Sequence, residues 1–364
     1  MRLAEPGEFT KRAFQNRKLD LTEAEGLGDL IHAETEIQRR QALRQMSGEL
    51  GQLYQQWSKR LLKALAHIEA FIDFSEDENV EENVLSTVDI EVQKLQEELK
   101  EHLRDNRRGE RLRDGFHVVL AGATNAGKSS LLNVTSQKPA AIVSPIPGTT
   151  RDVLETVLNI GGYPVIMSDT AGLRKSEDPV EKEGVKRAKE RLGDADILIA
   201  VADANEVPAT KASLLAYIKS ILCSSLTEDN REVILVLNKC DLLHQPVLSK
   251  VQELCKSSEL PTACLLSCHT GKGVGDFLNI LKKKLEKICG DPLNGAPSLT
   301  QTRHRMHLSN CLGALEKYTA YRVQDLVLAA EELRIGHKEL GAITGRVRVE
   351  EILDVIFRDF CIGK

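Results

Sequence analysis

"GATNAGKSS", residues 122–130, follows the β-rich run "FHVVLA" (116–121) and leads into the helix-like "SLLNVTS" (130–136). The stretch reads G-x-x-x-x-G-K-S, and strand, loop and helix in that order are the context a phosphate-binding loop requires. Backbone N–H groups gathered at a helix N-terminus cradle a β-phosphate. In that reading Lys128 contacts the β- and γ-phosphates and the Ser129 hydroxyl ligates Mg²⁺, with Asn125, Ala126, Gly127 and Ser130 completing the cradle. A chance glycine turn is the plainer alternative, and it leaves the next four motifs unexplained.

Those motifs come in a fixed order. "PGTTRD" (147–152) offers Thr150 to Mg²⁺ and the γ-phosphate. "DTAG" (169–172) ends what reads as the second strand, where Asp169 holds the Mg²⁺ water shell and the Gly172 amide senses the γ-phosphate. "NKCD" (238–241) ends a later strand, with Asn238, Lys239 and Asp241 at the base. Asp241 is an acceptor for the guanine N1–H and 2-amino group. Adenine lacks that donor pair, and a buried carboxylate left unpaired is costly. "LLSCHTGKG" (265–273) follows the next strand and offers Ser267 and its neighbours to guanine O6. Five motifs in order make GTP the expected ligand.

The surrounding pattern sets the fold class. The runs "FHVVLAG", "YPVIMSD", "ILIAVAD", "EVILVLNK" and "ACLLSC" are separated by helix-length segments. That alternation predicts a mostly parallel sheet with helical crossovers. On either side the texture is helical. Leu61, Leu65, Ile68 and Ile72 recur at helical spacing, as do Val88, Val92, Leu95, Leu99 and Leu103. The acidic "DFSEDENVEEN" (73–83) reads as a solvated loop between two long helices. Helices resume after the linker-like "CGDPLNGAPS" (289–298) with "VQDLVLAAEELRIG" and "VEEILDVIFRDF". The expected architecture is an α/β P-loop domain over 114–290 inserted into an all-α domain made of 17–113 and 291–364. Two basic stretches receive plain readings: "RDNRRGERLRDG" (104–115) as a solvated connector and "TRHRMH" (302–307) as helix-start surface rather than a metal site.

Composition excludes several classes. Of 364 residues, 41% are hydrophobic and 28% charged, ordinary values for a globular protein of roughly two domains. No apolar run approaches the roughly 20 residues that span a bilayer, so no membrane partner is expected. The N-terminus has no apolar core of a secretory signal. A net charge of −5 excludes a uniformly basic nucleic-acid binder. The eight cysteines match no zinc spacing and read as reduced, buried thiols. The terminal Cys361-Ile362-Gly363-Lys364 fails as a prenylation signal, because Gly363 stands where an aliphatic residue belongs.

Hydrolysis needs a positioned water and a cation for the developing charge. Leu173, just after "DTAG", cannot orient water. The next segment offers Glu177, Asp178, Glu181 and Glu183, each of which is otherwise a solvated surface carboxylate. Arg151 and Arg174 are the candidate cations.

The N-terminal "PGEFTKRAFQNRKLDLTEAEG", the five motifs and the terminal "CIGK" together resemble the MnmE family of tRNA-modifying GTPases, and the run is most similar to its mitochondrial branch in animals. The resemblance covers essentially the whole chain. It implies that residues 1–16 are the tail of an N-terminal folate-binding domain. It implies a potassium ion in place of an arginine finger, held by Asn125, by carbonyls of Ser144 and Ile146, and by Thr149. It selects Glu181 among the carboxylates as the general base, acting through a bridging water, beside Lys128 and Thr150. It places Lys364 and Lys18 toward a formyl- or methylene-tetrahydrofolate. It further implies tRNA as substrate, an FAD-dependent MnmG-type partner, self-association through the GTPase domains, and the mitochondrial matrix. The chemistry implied is modification of the wobble uridine at position 5. A ribosome-assembly GTPase, or a GTP-gated interaction module without modification activity, are the alternatives.

Overall fold

The computed structural model describes residues 2–74, 83–105, 107–137, 155–169, 195–208, 210–221, 232–255, 261–290 and 298–345. The chain divides into two compact units, Met1–Arg113 with Asp291–Lys364, and Asp114–Gly290. An α/β fold thus interrupts a helical one, as the sequence pattern predicts.

The helical unit begins with α1 (Glu8–Gln15), α2 (Leu21–His32) and α3 (Glu36–Met46). Capping boxes start α2 and α3: Asp20 pairs with Glu23, and Thr35 with Gln38, so orphan amides at each helix start find side-chain acceptors. The long α4 (Glu49–Phe74) and α5 (Asn83–Leu103) follow. Each carries one apolar stripe, Tyr54, Leu61, Leu65 and Ile68 on α4 and Val88, Val92, Leu95 and Leu99 on α5, all buried. After the short α6 (Arg108–Asp114), the chain returns to this unit in α11 (Thr302–Tyr321) and α12 (Leu326–Ile343). Leu308, Leu315, Leu333 and Leu340 from these two helices join the stripes of α4 and α5 in one core.

Both basic stretches depart in part from their sequence readings. In "RDNRRGERLRDG" Arg104, Arg107, Arg108 and Arg113 are exposed, as a solvated connector requires, but residues 108–114 form α6, whose Gly109, Glu110 and Leu112 are buried. A Cβ at Gly109 would lie 2.0 Å from the Leu299 carbonyl, so the helix is packed at backbone distance. Glu110 accepts from Arg107 at 2.6 Å and from Arg305 at 2.8 Å. "TRHRMH" does start α11, but His304 and His307 are buried. The reason is buried acid. Glu25 on α2 accepts from Arg303 at 2.9 Å and lies 2.8 Å from His304 Nε2. Glu339 on α12 lies 2.7 Å from His307 Nδ1. Charged side chains that meet such partners can leave water.

The α/β unit is a six-stranded sheet in the order β2-β3-β1-β4-β5-β6. Its strands are β1 (Phe116–Gly122), β2 (Glu155–Ile160), β3 (Tyr163–Asp169), β4 (Ile197–Asp203), β5 (Glu232–Asn238) and β6 (Thr262–Leu265). Helices α7 (Lys128–Ser136), α8 (Lys211–Ile221), α9 (Gln245–Cys255) and α10 (Val274–Cys289) lie between or after them in the chain. All pairings are parallel except β2 with β3. Asp169 therefore ends the third strand, not the second. The missed β2 is an edge strand, with Leu158 and Ile160 buried, joined to β3 by Gly161-Gly162, both at positive φ (62° and 98°), a two-residue hairpin turn. Ile197–Ala202 of β4 is buried at every position, the mark of a central parallel strand covered on both faces.

Candidate nucleotide-binding site

The parallel strands end on one rim at Gly122, Asp169, Asp203 and Asn238, and ligands of such sheets bind outside those carboxyl ends. A Cβ at Gly122 would lie 2.2 Å from the Val201 carbonyl. From there the loop turns through Asn125, at a left-handed φ of 63°, to Gly127 at φ 98°, the residue that caps α7. A side chain at Gly127 is excluded twice. The φ disfavours it, and its Cβ would fall 2.0 Å from Asn238 Nδ2. The amides opening α7 carry partial positive charge suited to an anion.

Lys128 is 9% exposed. Its Nζ donates to the carbonyls of Gly122 and Ala123, each at 3.0 Å, so the ammonium lies across the loop. Burial pulls its pKa down, and the Asp169 carboxylate acts in the opposite direction. Ser129 Oγ donates to Asp169 Oδ2 at 2.6 Å, while the buried Asp169 Oδ1 has no partner among the described residues. An ionised oxygen left unpaired in the interior is costly. A hard divalent cation beside a hydroxyl and a carboxylate satisfies it, so this donor set fits Mg²⁺.

On the other side lie Asn238, Lys239, Asp241 and Ser267. Asn238 Nδ2 donates to the Ala126 carbonyl at 3.0 Å, and its Oδ1 accepts from the Cys268 amide at 3.1 Å. Lys239, at φ 64°, donates to Asp203 at 2.7 Å. The fully buried Ser267 has its hydroxyl beside Asp241, which holds that carboxyl below the usual range and ionised at neutral pH. A cavity of about 690 Å³ joins the two halves. Asn125, Gly127, Lys128, Ser129 and Ser130 line its phosphate side; Asn238, Lys239, Asp241 and Ser267 line the other. Ala126 is buried behind it.

Leu242, Cys268 and His269 also line this cavity; sequence reading offered Cys268 and His269 only as neighbours of Ser267 and gave Leu242 no role there. Their signal was adjacency to "NKCD" and to Ser267. Cys268 is half-buried, whereas Cys240, Cys264, Cys289 and Cys311 are buried free thiols. Burial first, then Asp241, pushes the Cys268 thiol up to about 11, so it presents a neutral wall. Of the remaining expected site residues, Lys18 is exposed in the turn after α1. Ser144, Ile146, Thr149, Thr150, Gly172, Glu181 and Lys364 lie outside the described residues.

Residues 21–361 match the model of the MnmE helical domain. The chain is 57% identical over 370 residues to the zebrafish (Danio rerio) protein named 5-taurinomethyluridine-[tRNA] synthase subunit GTPB3, mitochondrial, covering 100% of this chain and 73% of that one. The human (Homo sapiens) protein of the same name is 54% identical over 366 residues, with the same coverage of 100% and 73%. The tRNA modification GTPase MnmE of the bacterium Paramagnetospirillum magneticum is 45% identical over 364 residues, covering 100% of this chain and 77% of that one. A phosphate loop and a base-side Asn238–Asp241 corner share one cavity, and with a family model matched over residues 21–361 and relatives this similar along its whole length, this chain belongs to the MnmE family of tRNA modification GTPases.

Proposed function

We propose that this protein hydrolyses GTP with Mg²⁺ and serves, with an FAD-dependent MnmG-type partner, in modifying position 5 of the wobble uridine of tRNA in the mitochondrial matrix. The observation that carries the reading is the single cavity flanked by Lys128 and the Ser129–Asp169 pair at one end and by Asp241 at the other. A phosphate cradle alone accepts any nucleotide. An ionised carboxylate at the base end favours the paired N1–H and 2-amino donors of guanine. The names of the zebrafish and human relatives supply tRNA as the substrate class and the mitochondrion as the compartment.

For the chemical step, Lys128 holds the phosphates, Thr150 closes on the γ-phosphate, and Glu181 takes a proton from the attacking water through a second water. Leu173 is unable to do this. Asn125 lines the phosphate side, and its side-chain amide carries an oxygen suited to a cation. Together with Ser144, Ile146 and Thr149 it would hold K⁺, which supplies the positive charge that an arginine finger provides elsewhere. Two such GTPase domains then meet face to face across these loops. Lys18 and Lys364 serve a tetrahydrofolate carrying the one-carbon unit.

The test is the GTPase rate in KCl and in NaCl at matched ionic strength, with and without the MnmG-type partner. Hydrolysis is expected to be fast in KCl and slow in NaCl, and the difference should vanish in Asn125→Ala. Glu181→Ala should lower turnover by about 10²-fold or more while nucleotide still binds. Equal rates in both salts remove K⁺ from the mechanism. Loss of activity in Glu177→Ala or Asp178→Ala, but not in Glu181→Ala, moves the base to another carboxylate.

A further inference from the structure

Lys239 is a non-glycine residue at φ 64°, a conformation that persists only where its surroundings hold it. Its four-carbon stem lines the cavity. Such a stem has many rotamers, and a wall built from it is only as defined as the anchor at its far end. That anchor is on the page. The Lys239 ammonium donates to Asp203 Oδ2 at 2.7 Å.

Asp203 is itself fixed. It is the last residue of β4, opposite Asn238 in the parallel register with β5. The next amide, Ala204 N–H, donates to the Asn238 carbonyl at 2.8 Å, which zips the two strand ends together. Asp203 Oδ1 accepts from the backbone N–H and the side-chain amide of Asn205, both at 2.9 Å. One carboxylate oxygen is thus committed to its own turn, and the other is free to hold the lysine. Asp203 does not line the cavity, so any effect on a ligand passes through Lys239.

We propose that Asp203 is a positioning residue for the base end of the nucleotide site, fixing the Lys239 ammonium so that the lysine stem forms a rigid wall against the guanine ring. The inference rests on the reading of the cavity as a guanine-nucleotide site. Without the carboxylate, the ammonium swings into water, and the wall is ordered only when the guanine ring binds.

The experiment measures affinity for GDP and for inorganic pyrophosphate, both with Mg²⁺, in the full chain. Asp203→Ala should weaken GDP about tenfold, the cost of ordering one long side chain on binding. Pyrophosphate, which never reaches the wall, should bind as before. In a Lys239→Ala background, Asp203→Ala should add less than about twofold. If Asp203→Ala fails to fold, Asp203→Asn carries the same arms, because its one uncharged oxygen cannot hold both the Asn205 turn and the ammonium. Unchanged GDP affinity in the Asp203 variants overturns the inference. So does an equal loss for GDP and pyrophosphate, or a full loss repeated in the Lys239→Ala background. A wild-type protein that binds pyrophosphate but not GDP overturns the guanine reading itself, and the inference with it.

Discussion

Asn238 ties its side chain to Ala126, donating from Nδ2 to that residue's carbonyl at 3.0 Å, while Oδ1 accepts from the Cys268 amide at 3.1 Å. One planar amide thus joins the phosphate loop to the base loop, and neither loop is positioned without the other. Asn238→Ala leaves both backbone groups without partners, at about 1–3 kcal/mol for each buried group left unsatisfied. The expected outcome is a lower unfolding midpoint together with weaker GDP binding, read by thermal denaturation and titration calorimetry. A variant that keeps both wild-type values would show that the two loops stand independently.

Gly127→Ala should be more damaging at the site than a Gly-to-Ala change in an ordinary turn. The new Cβ would sit 2.0 Å from Asn238 Nδ2 in a backbone already at φ 98°. Either the loop shifts or the Asn238–Ala126 bond breaks. Nucleotide affinity is expected to fall at least about a hundredfold, in keeping with the tight geometry binding requires. A loss below about threefold relative to the wild type would mean the loop relaxes freely.

Asp241→Asn reverses the acceptor pattern at the base end. The Ser267 hydroxyl beside Asp241 holds its carboxyl below the usual range in the wild type. With an amide in its place, xanthosine nucleotides should bind better than GTP, because their ring presents an oxygen where guanine presents an amine. Competition between GTP and xanthosine triphosphate measures the swap. Undiminished GTP preference in the variant would move the base to another part of the cavity.

Acid should weaken the helical unit through His102. Burial pushes this histidine from 6.5 down to about 4, so the folded protein keeps it neutral while the unfolded chain protonates it. A depressed folded value means the contribution is complete above 6.5 and is lost as pH falls from there to about 4. At roughly 1.4 kcal/mol per pH unit, the loss amounts to about 3 kcal/mol. Urea unfolding at pH 7 and pH 4.5 should show it, and His102→Gln should reduce the difference between the two.

Glu25 acts in the same direction at lower pH. Burial alone would raise its pKa, but His304 and then Arg303 outweigh burial and hold it below 4.5. Its contribution is therefore present above 4.5 and disappears as pH falls through the folded value. Glu25→Ala strands the Arg303 guanidinium, which is 13% exposed, and should cost about 3–5 kcal/mol at pH 7. A loss below about 1 kcal/mol in the same urea titration would show that Arg303 finds enough in the Ala342 and Ile343 carbonyls it already caps.

Local chemistry was legible in the sequence itself. A phosphate loop is built from nine consecutive residues between one strand and one helix, so G-x-x-x-x-G-K-S carries its own geometry. The stripes of α4 and α5 are equally local, because helical period sets which side chains share a face. The hairpin strand β2 was legible in principle from Gly161-Gly162, yet its six residues "ETVLNI" lack the clean alternation that marks a strand. What only the tertiary structure decided is which distant groups meet. Asn238 reaches Ala126 across 112 residues, and Arg303 reaches Glu25 across 278. No periodicity links such positions. "TRHRMH" and "RDNRRGERLRDG" therefore read as surface from sequence, since isolated charges belong in water. Only some of their residues become interior: Glu110 is buried where Arg107 and Arg305 reach it, and His304 is buried with Arg303 beside Glu25, because paired charges and shared hydrogen bonds offset the cost of leaving solvent.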